Sequence, residues 1–205
     1  IMKILVVNGN VQYWHLMLGY GFQITPNEDE ADVALFTGGA DVTPKLYGDK
    51  QHNFTGNDEY PDAMETALFH RLYERKIPMV GICRGGQFLN VMSGGRMYQH
   101  VSKHTQSHTI TDLITGESVY VSSTHHQMMM PSPDGLLVAS STLGGHREWF
   151  DGEVARKDVS KEDIEVVFYE KTKCLCFQPH PEFGSPEYEG MRLYFRSLLN
   201  RYLEI

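Results

Sequence analysis

The chain has 205 residues, 41% of them hydrophobic and 21% charged, with 18 Lys and Arg against 26 Asp and Glu for a net charge of −8. This is ordinary globular composition, enough to bury a core as one domain over residues 2–205, and it lacks the basic cluster that nucleic-acid binding requires. No stretch reaches the ~20 apolar residues of a membrane span, and "IMKILVVNGN" turns polar too soon for a signal peptide.

A cytoplasmic protein with small-molecule or protein partners is therefore expected, and Ile1, ahead of Met2, is set aside as foreign to the natural start. Apolar runs that read as buried strands recur at Ile4 to Val7, Val33 to Phe36, Ile77 to Ile82, Leu136 to Ala139, Ile164 to Tyr169 and Leu175 to Phe177. The first crossover, "QYWHLMLGYG", is short. "PDAMETALFHRLYERK" places Met64, Ala67, Leu68, Leu72 and Tyr73 on one helical stripe, with Pro61 and Asp62 as start signals and Lys76 near the end. From about Met97 to Arg147, alternating runs such as "ESVYVSS" and "GLLVASST" between Gly, Pro and Ser suggest antiparallel hairpins, and "QMMMP" reads as packing or a lid edge. "SPEYEGMRLYFRSLLNRYL" opens with Ser185 as cap and Pro186 in the first turn, then carries Met191, Tyr194, Leu198 and Tyr202 at helical spacing. Strands alternating with helices predict a three-layer α/β fold with a mostly parallel central sheet and appended antiparallel hairpins.

Three cysteines make a disulfide framework improbable on number alone. Cys174 and Cys176, two apart in "KCLCFQ", read as small core residues on one face of a strand. Cys83 differs. In "VGICRGGQFLN" it stands between Gly81 and Gly85, where an apolar strand gives way to a helix. A nucleophile elbow needs such small neighbours around a strained turn residue, and the helix N-terminus behind it favours thiolate over thiol and offers amides to an oxyanion.

A cysteine nucleophile needs a base and a group to orient it. Of ten histidines, His180 in "LCFQPHPEF" follows a strand directly, is confined by Pro179 and Pro181, and has Glu182 two positions on. The order Cys83, His180, Glu182 gives a triad at strand ends, where parallel sheets place chemistry. "ALFTGGADVTPKLYG" puts Gly38 and Gly39 at a neighbouring strand end, able to supply a second oxyanion amide beside that of Arg84.

"GICRGGQFLNVMSGG" with "QPHPE" resembles the class I glutamine amidotransferase superfamily. "FTGGADVTPKLYG", the "YQH" of Tyr98 to His100 and "SSTHHQ" at 122–127 are similar to its gamma-glutamyl-gamma-aminobutyrate hydrolase branch, peptidase C26, over about Val33 to Phe183. The resemblance implies Cys83 as nucleophile, His180 as base and then acid, and Glu182 as its orienting partner. It further implies oxyanion amides from Gly39 and Arg84, and a glutamyl pocket bordered by Gly38, Gln87, Thr124, His125 and His126. The segment before "FTGG" is short for the branch, and Gly86 stands where a bulkier apolar residue is the rule, so a different substrate entrance is expected. No cofactor and no metal are implied; a zinc set of His104, His108, His125 and His126 lacks a supporting Cys or Glu spacing.

The implied substrates are glutamine or a gamma-glutamyl amine. Two reactions share the machinery: free-standing hydrolysis, and a glutaminase that passes ammonia to a separate synthetase subunit. A metabolite-binding module with a relic triad is the non-enzymatic alternative.

Overall fold

A computed structural model describes all residues, Ile1 to Ile205. Strand β1 (Lys3–Val7), helix α1 (Val11–Gly19), β2 (Gln23–Thr25), β3 (Val33–Phe36), α2 (Glu59–Glu74), β4 (Met79–Ile82) and α3 (Arg84–Met92) form the first half. Next come β5 (Arg96–Tyr98), β6 (His100–Val101), β7 (His108–Asp112), β8 (Ser118–Val121), β9 (Met128–Met130), β10 (Leu136–Ser141), β11 (His146–Asp151) and β12 (Val154–Val159). Strands β13 (Asp163–Tyr169) and β14 (Cys174–Phe177) and helix α4 (Glu189–Leu198) complete the chain.

Nine strands make one sheet in the order β2-β1-β3-β4-β14-β13-β10-β7-β8. The five from β2 to β14 are mutually parallel, and from β13 outward every pairing is antiparallel. The sequences follow this division. In β3 (VALF), β4 (MVGI) and β14 (CLCF) every residue is buried, as in a parallel sheet covered on both faces, whereas β7 (HTITD) alternates buried and exposed. Helices α1 and α4 cover one face, through Tyr13, Leu16, Met17, Met191, Tyr194 and Phe195; α2 and α3 cover the other, through Phe69, Leu72, Phe88 and Leu89. Cys174 and Cys176 lie free and buried in this second layer, as their spacing predicts. No helix is long and apolar enough to cross a membrane.

Two expectations are corrected. The inward face of α2 carries Asp62, Glu65, Phe69 and Leu72, while Met64 is 59% and Tyr73 37% exposed, so the apolar stripe is misphased. The cause is that two inward positions are carboxylates with a buried cation to meet. The helix also starts earlier, capped by the Asp58 side chain on the amide of Tyr60. The hairpin region extends past Arg147: β11 and β12 pair in register from His146↔Val159 to Asp151↔Val154, and β6 joins them. Helix α4 buries Met191, Tyr194 and Leu198 as expected, although the Ser185 side chain makes no capping bond. Met128 and Met129 are buried in β9, which pairs with β5, so "QMMMP" is packing.

Candidate active site

The turn from β4 into α3 holds Cys83 at φ 52° and ψ −114°, a conformation an L-residue adopts at a cost of ~1–3 kcal/mol. The glycines around it are required by contact. A Cβ on Gly81 would lie 2.3 Å from the Gly85 carbonyl carbon, and one on Gly85 would lie 2.0 Å from the Phe36 carbonyl oxygen. Gly86 fits the same way, its Cβ position being 3.0 Å from the Phe177 nitrogen, so the helix start rests directly on β14. The Cys83 amide donates to the Phe177 carbonyl (2.8 Å), leaving the half-buried side chain at the sheet's carboxyl edge.

His180 and Glu182 follow β14 on the same edge. His180 Nδ1 lies 2.6 Å from Glu182 Oε1, and the ring stacks on Phe183 at 4.7 Å. Ser122 grips the His180 backbone from both sides, accepting from its N–H (2.9 Å) and donating to its carbonyl (3.2 Å). Burial alone would lower the His180 pKa; hydrogen bonding and charge from Cys83 and Glu182 outweigh it and raise the group from 6.5 to about 10. The imidazolium is thus favoured at neutral pH, with the Glu182 carboxylate behind it.

A cavity of about 270 Å³ brings together Cys83, Gly39, Arg84, Gln87, Thr124, His125 and His126. Seven of the ten sequence-predicted site residues therefore meet in one space, while His180, Glu182 and Gly38 lie outside its lining; a Cβ on Gly38 would sit 3.4 Å from His180 Cε1 and 3.9 Å from Cys83 Cβ. Four of the ten, Gly38, Gln87, His125 and His126, are also engaged by protein partners. The Gly38 amide donates to Tyr13 Oη (3.1 Å). Gln87 Nε2 is held by the Gln127 carbonyl (3.3 Å) and Gln178 Oε1 (3.2 Å). The His125 ring is committed inward, with Nδ1 at 2.8 Å from the Gln127 carbonyl and Nε2 toward Glu165. His126, half exposed, pairs with Asp41 at 3.2 Å.

The amide of Arg84 is the first of α3 and has no intrahelical acceptor. Its side chain is clamped between Asp62 and Glu65 of α2, with all three buried. Asp62 also accepts from the Thr43 amide (2.7 Å) and Glu65 from Asn8 Nδ2 (2.7 Å), so the two carboxylates tie the elbow to both neighbouring loops. Sequence reasoning missed this pair and Tyr13. The spacing Asp62-x-x-Glu65-x-x-x-Phe69 was the available signal, one helical face carrying both acids and the core apolar residue. Tyr13, on α1, stands beside Glu182; burial and the Glu182 charge both push its phenol upward.

His104, His108 and His125 converge on Glu165 of β13, all four buried, while His126 turns to Asp41.

The Peptidase C26 family model matches residues 26–156, well over half of the chain; Cys83 lies inside the match, and His180 and Glu182 lie beyond it. The chain is 36% identical over 126 residues to a glutamine amidotransferase-like protein of Lactococcus lactis, covering 51% of this chain and 53% of that one. It is 29% identical over 137 residues to the carbamoyl phosphate synthase small chain of Campylobacter jejuni, covering 66% of this chain and 32% of that one. The chain thus spans about half the length, or less, of these curated relatives. The fold is similar to the crystal structure of a glutamine amidotransferase from Thermotoga maritima, with TM-score 0.60 and 13% identity over 98% of this chain and 84% of that one. The elbow, the mixed sheet and the family match agree: the chain belongs to the Peptidase C26 family of the class I glutamine amidotransferase superfamily.

Proposed function

We propose that residues 2–205 act as one cysteine hydrolase unit for gamma-glutamyl amide bonds, working in the cytoplasm, where thiols stay reduced. The observation that carries this reading is the strained elbow that opens Cys83 onto the cavity, with the His180–Glu182 pair (2.6 Å) on the same sheet edge. The Cys83 thiolate attacks the delta-carbonyl, and the amides of Gly39 and Arg84 take the oxyanion. As the C–N bond breaks, the His180 imidazolium gives its proton to the leaving amine, and a gamma-glutamyl thioester remains on Cys83. Neutral His180 then takes a proton from water, whose oxygen attacks the thioester; glutamate leaves and the thiolate and imidazolium are restored.

Glutamate release from L-glutamine and from a panel of gamma-glutamyl amines, for wild type and Cys83→Ala, tests this. Release from a gamma-glutamyl amine that exceeds release from glutamine and is lost in Cys83→Ala supports the hydrolase. Full release in Cys83→Ala contradicts it.

A second reading is a glutaminase that passes ammonia to a separate synthetase, favoured by the similarity to a carbamoyl phosphate synthase small chain. It predicts weak release from glutamine alone, rising when the partner is added.

A further inference from the structure

We propose that His104, His125 and Glu165 bind one divalent metal ion of the zinc class, which pins the 122–127 loop to the antiparallel half of the sheet. The three come from separate places: the segment after β6, the loop between β8 and β9, and β13. They are sealed from solvent, at 0%, 4% and 0% exposure.

Hydrogen bonding on the far side of each ring fixes what each ring presents inward. His104 Nε2 lies 3.0 Å from Asp163 Oδ2, and His125 Nδ1 lies 2.8 Å from the Gln127 carbonyl. Both oxygens accept, so those nitrogens carry protons, and in the neutral ring the inward nitrogen offers a lone pair. His104 Nδ1 faces Glu165 Oε1 at 3.3 Å, and His125 Nε2 faces Glu165 Oε2 at 3.7 Å. His104 Nδ1, His125 Nε2 and Glu165 Oε2 are all buried without a hydrogen-bond partner. A carboxylate facing two neutral rings in a dry interior requires a positive centre among them.

A proton does not serve for His125, since 3.7 Å is beyond hydrogen-bond reach. An ion bonded to both rings and the carboxylate does. The three ligand atoms lie within 4.8 Å of one another, and the nearest nitrogen–oxygen spacings, 3.3 Å to Glu165 Oε1 and 3.7 Å to Oε2, are close to ~3.4 Å, the edge of a tetrahedron with bonds of ~2.1 Å. Two imidazoles and a carboxylate form a borderline donor set that suits zinc and its neighbours. Asp163 and the Gln127 carbonyl hold the outer N–H groups as the supports of metal-bound histidines do. His108, with nitrogens 3.0 Å from the Gln106 carbonyl and 2.9 Å from Glu165 Oε1, occupies the other carboxylate oxygen.

The ion would be structural. The Ser123 hydroxyl and the His125 amide both donate to the His104 carbonyl, so loop and ligands already form one unit. Thr124 to Gln127 line the cavity beside Cys83, and Ser122 holds His180. Clamping this loop to β13 therefore sets the wall of the cavity.

The test is calorimetric titration of the EDTA-stripped full chain with ZnCl2, in a Cys83→Ala background that removes the other soft ligand. The expected result is binding at one equivalent with a higher Tm, weakened ~10–100-fold by Asp163→Asn and more by Glu165→Gln. Should Glu165→Gln fail to fold, Co2+ bound to the Cys83→Ala chain gives the second readout: tetrahedral d–d bands without a thiolate charge-transfer band. Absence of Zn2+ binding, binding that Glu165→Gln leaves unchanged, or a Co2+ spectrum without tetrahedral bands overturns the proposal; an equal Tm with EDTA and with Zn2+ would mean that a buried water fills the place.

Discussion

His180 and His125 begin alike and end apart. In each, Nδ1 is held by an oxygen, at 2.6 Å from Glu182 and 2.8 Å from the Gln127 carbonyl, and in each Nε2 has no protein hydrogen-bond acceptor. The difference is where the carboxylate stands. Behind the ring, Glu182 raises the imidazole on the sheet edge that carries Cys83. In front of the ring, Glu165 meets a lone pair in a sealed interior, and the same residue types become a ligand set. Position relative to the second nitrogen, rather than the presence of a His-carboxylate pair, decides between acid-base chemistry and cation binding.

The largest expected effect falls on the His180 side of this comparison, at the proposed nucleophile. Cys83→Ala should lower glutamate release by ~10⁴-fold or more with an unchanged circular dichroism spectrum, since the elbow's glycines, not the sulfur, shape the turn. Glu182→Gln keeps the shape but removes the charge behind His180; kcat should fall ~10²–10⁴-fold, and the alkaline limb of the pH–rate profile should move to lower pH because one source of the raised His180 is gone. Asp163→Asn, the matching change behind His104, should leave kcat within a few-fold. A large loss there would erase the distinction between the two units.

A third prediction concerns stability. His180 is raised above its ordinary 6.5 to about 10, so its contribution is fully present below pH 6.5 and is lost as pH rises through 10. Its side chain is 10% exposed, and the loss is of order 4 kcal/mol between pH 6 and 10.5. Urea midpoints at the two ends of that window for wild type and Glu182→Gln check it, with the smaller drop expected in the variant. The smallest effect is Tyr13→Phe. It removes the acceptor for the Gly38 amide, about 1 kcal/mol, and should cost ~5-fold in kcat/KM.

These same particulars show what the sequence could disclose. Gly81, Cys83, Gly85 and Gly86 are neighbours in the chain, and so are His180 and Glu182; both features rest on local geometry and were readable. The parallel strands were readable too, because burial on both faces leaves continuous apolar runs. The Arg84 clamp was not. Asp62 and Glu65 look like solvent-facing residues until a cation from the elbow meets them, and they displaced the true inward stripe of α2. Glu165 was hidden for a like reason, lying in β13 far from the histidines it joins. The β11–β12 hairpin escaped because β12 is exposed along its whole length and carries no apolar alternation. Long-range polar pairing leaves little trace in periodicity.

The central claim is that Cys83 carries the glutamyl group. Wild-type protein turning over a gamma-glutamyl substrate, quenched in acid and measured by intact mass and peptide mapping, should gain one gamma-glutamyl group on the peptide that contains Cys83. Turnover with that peptide unmodified, or with the group on another residue, would contradict the account.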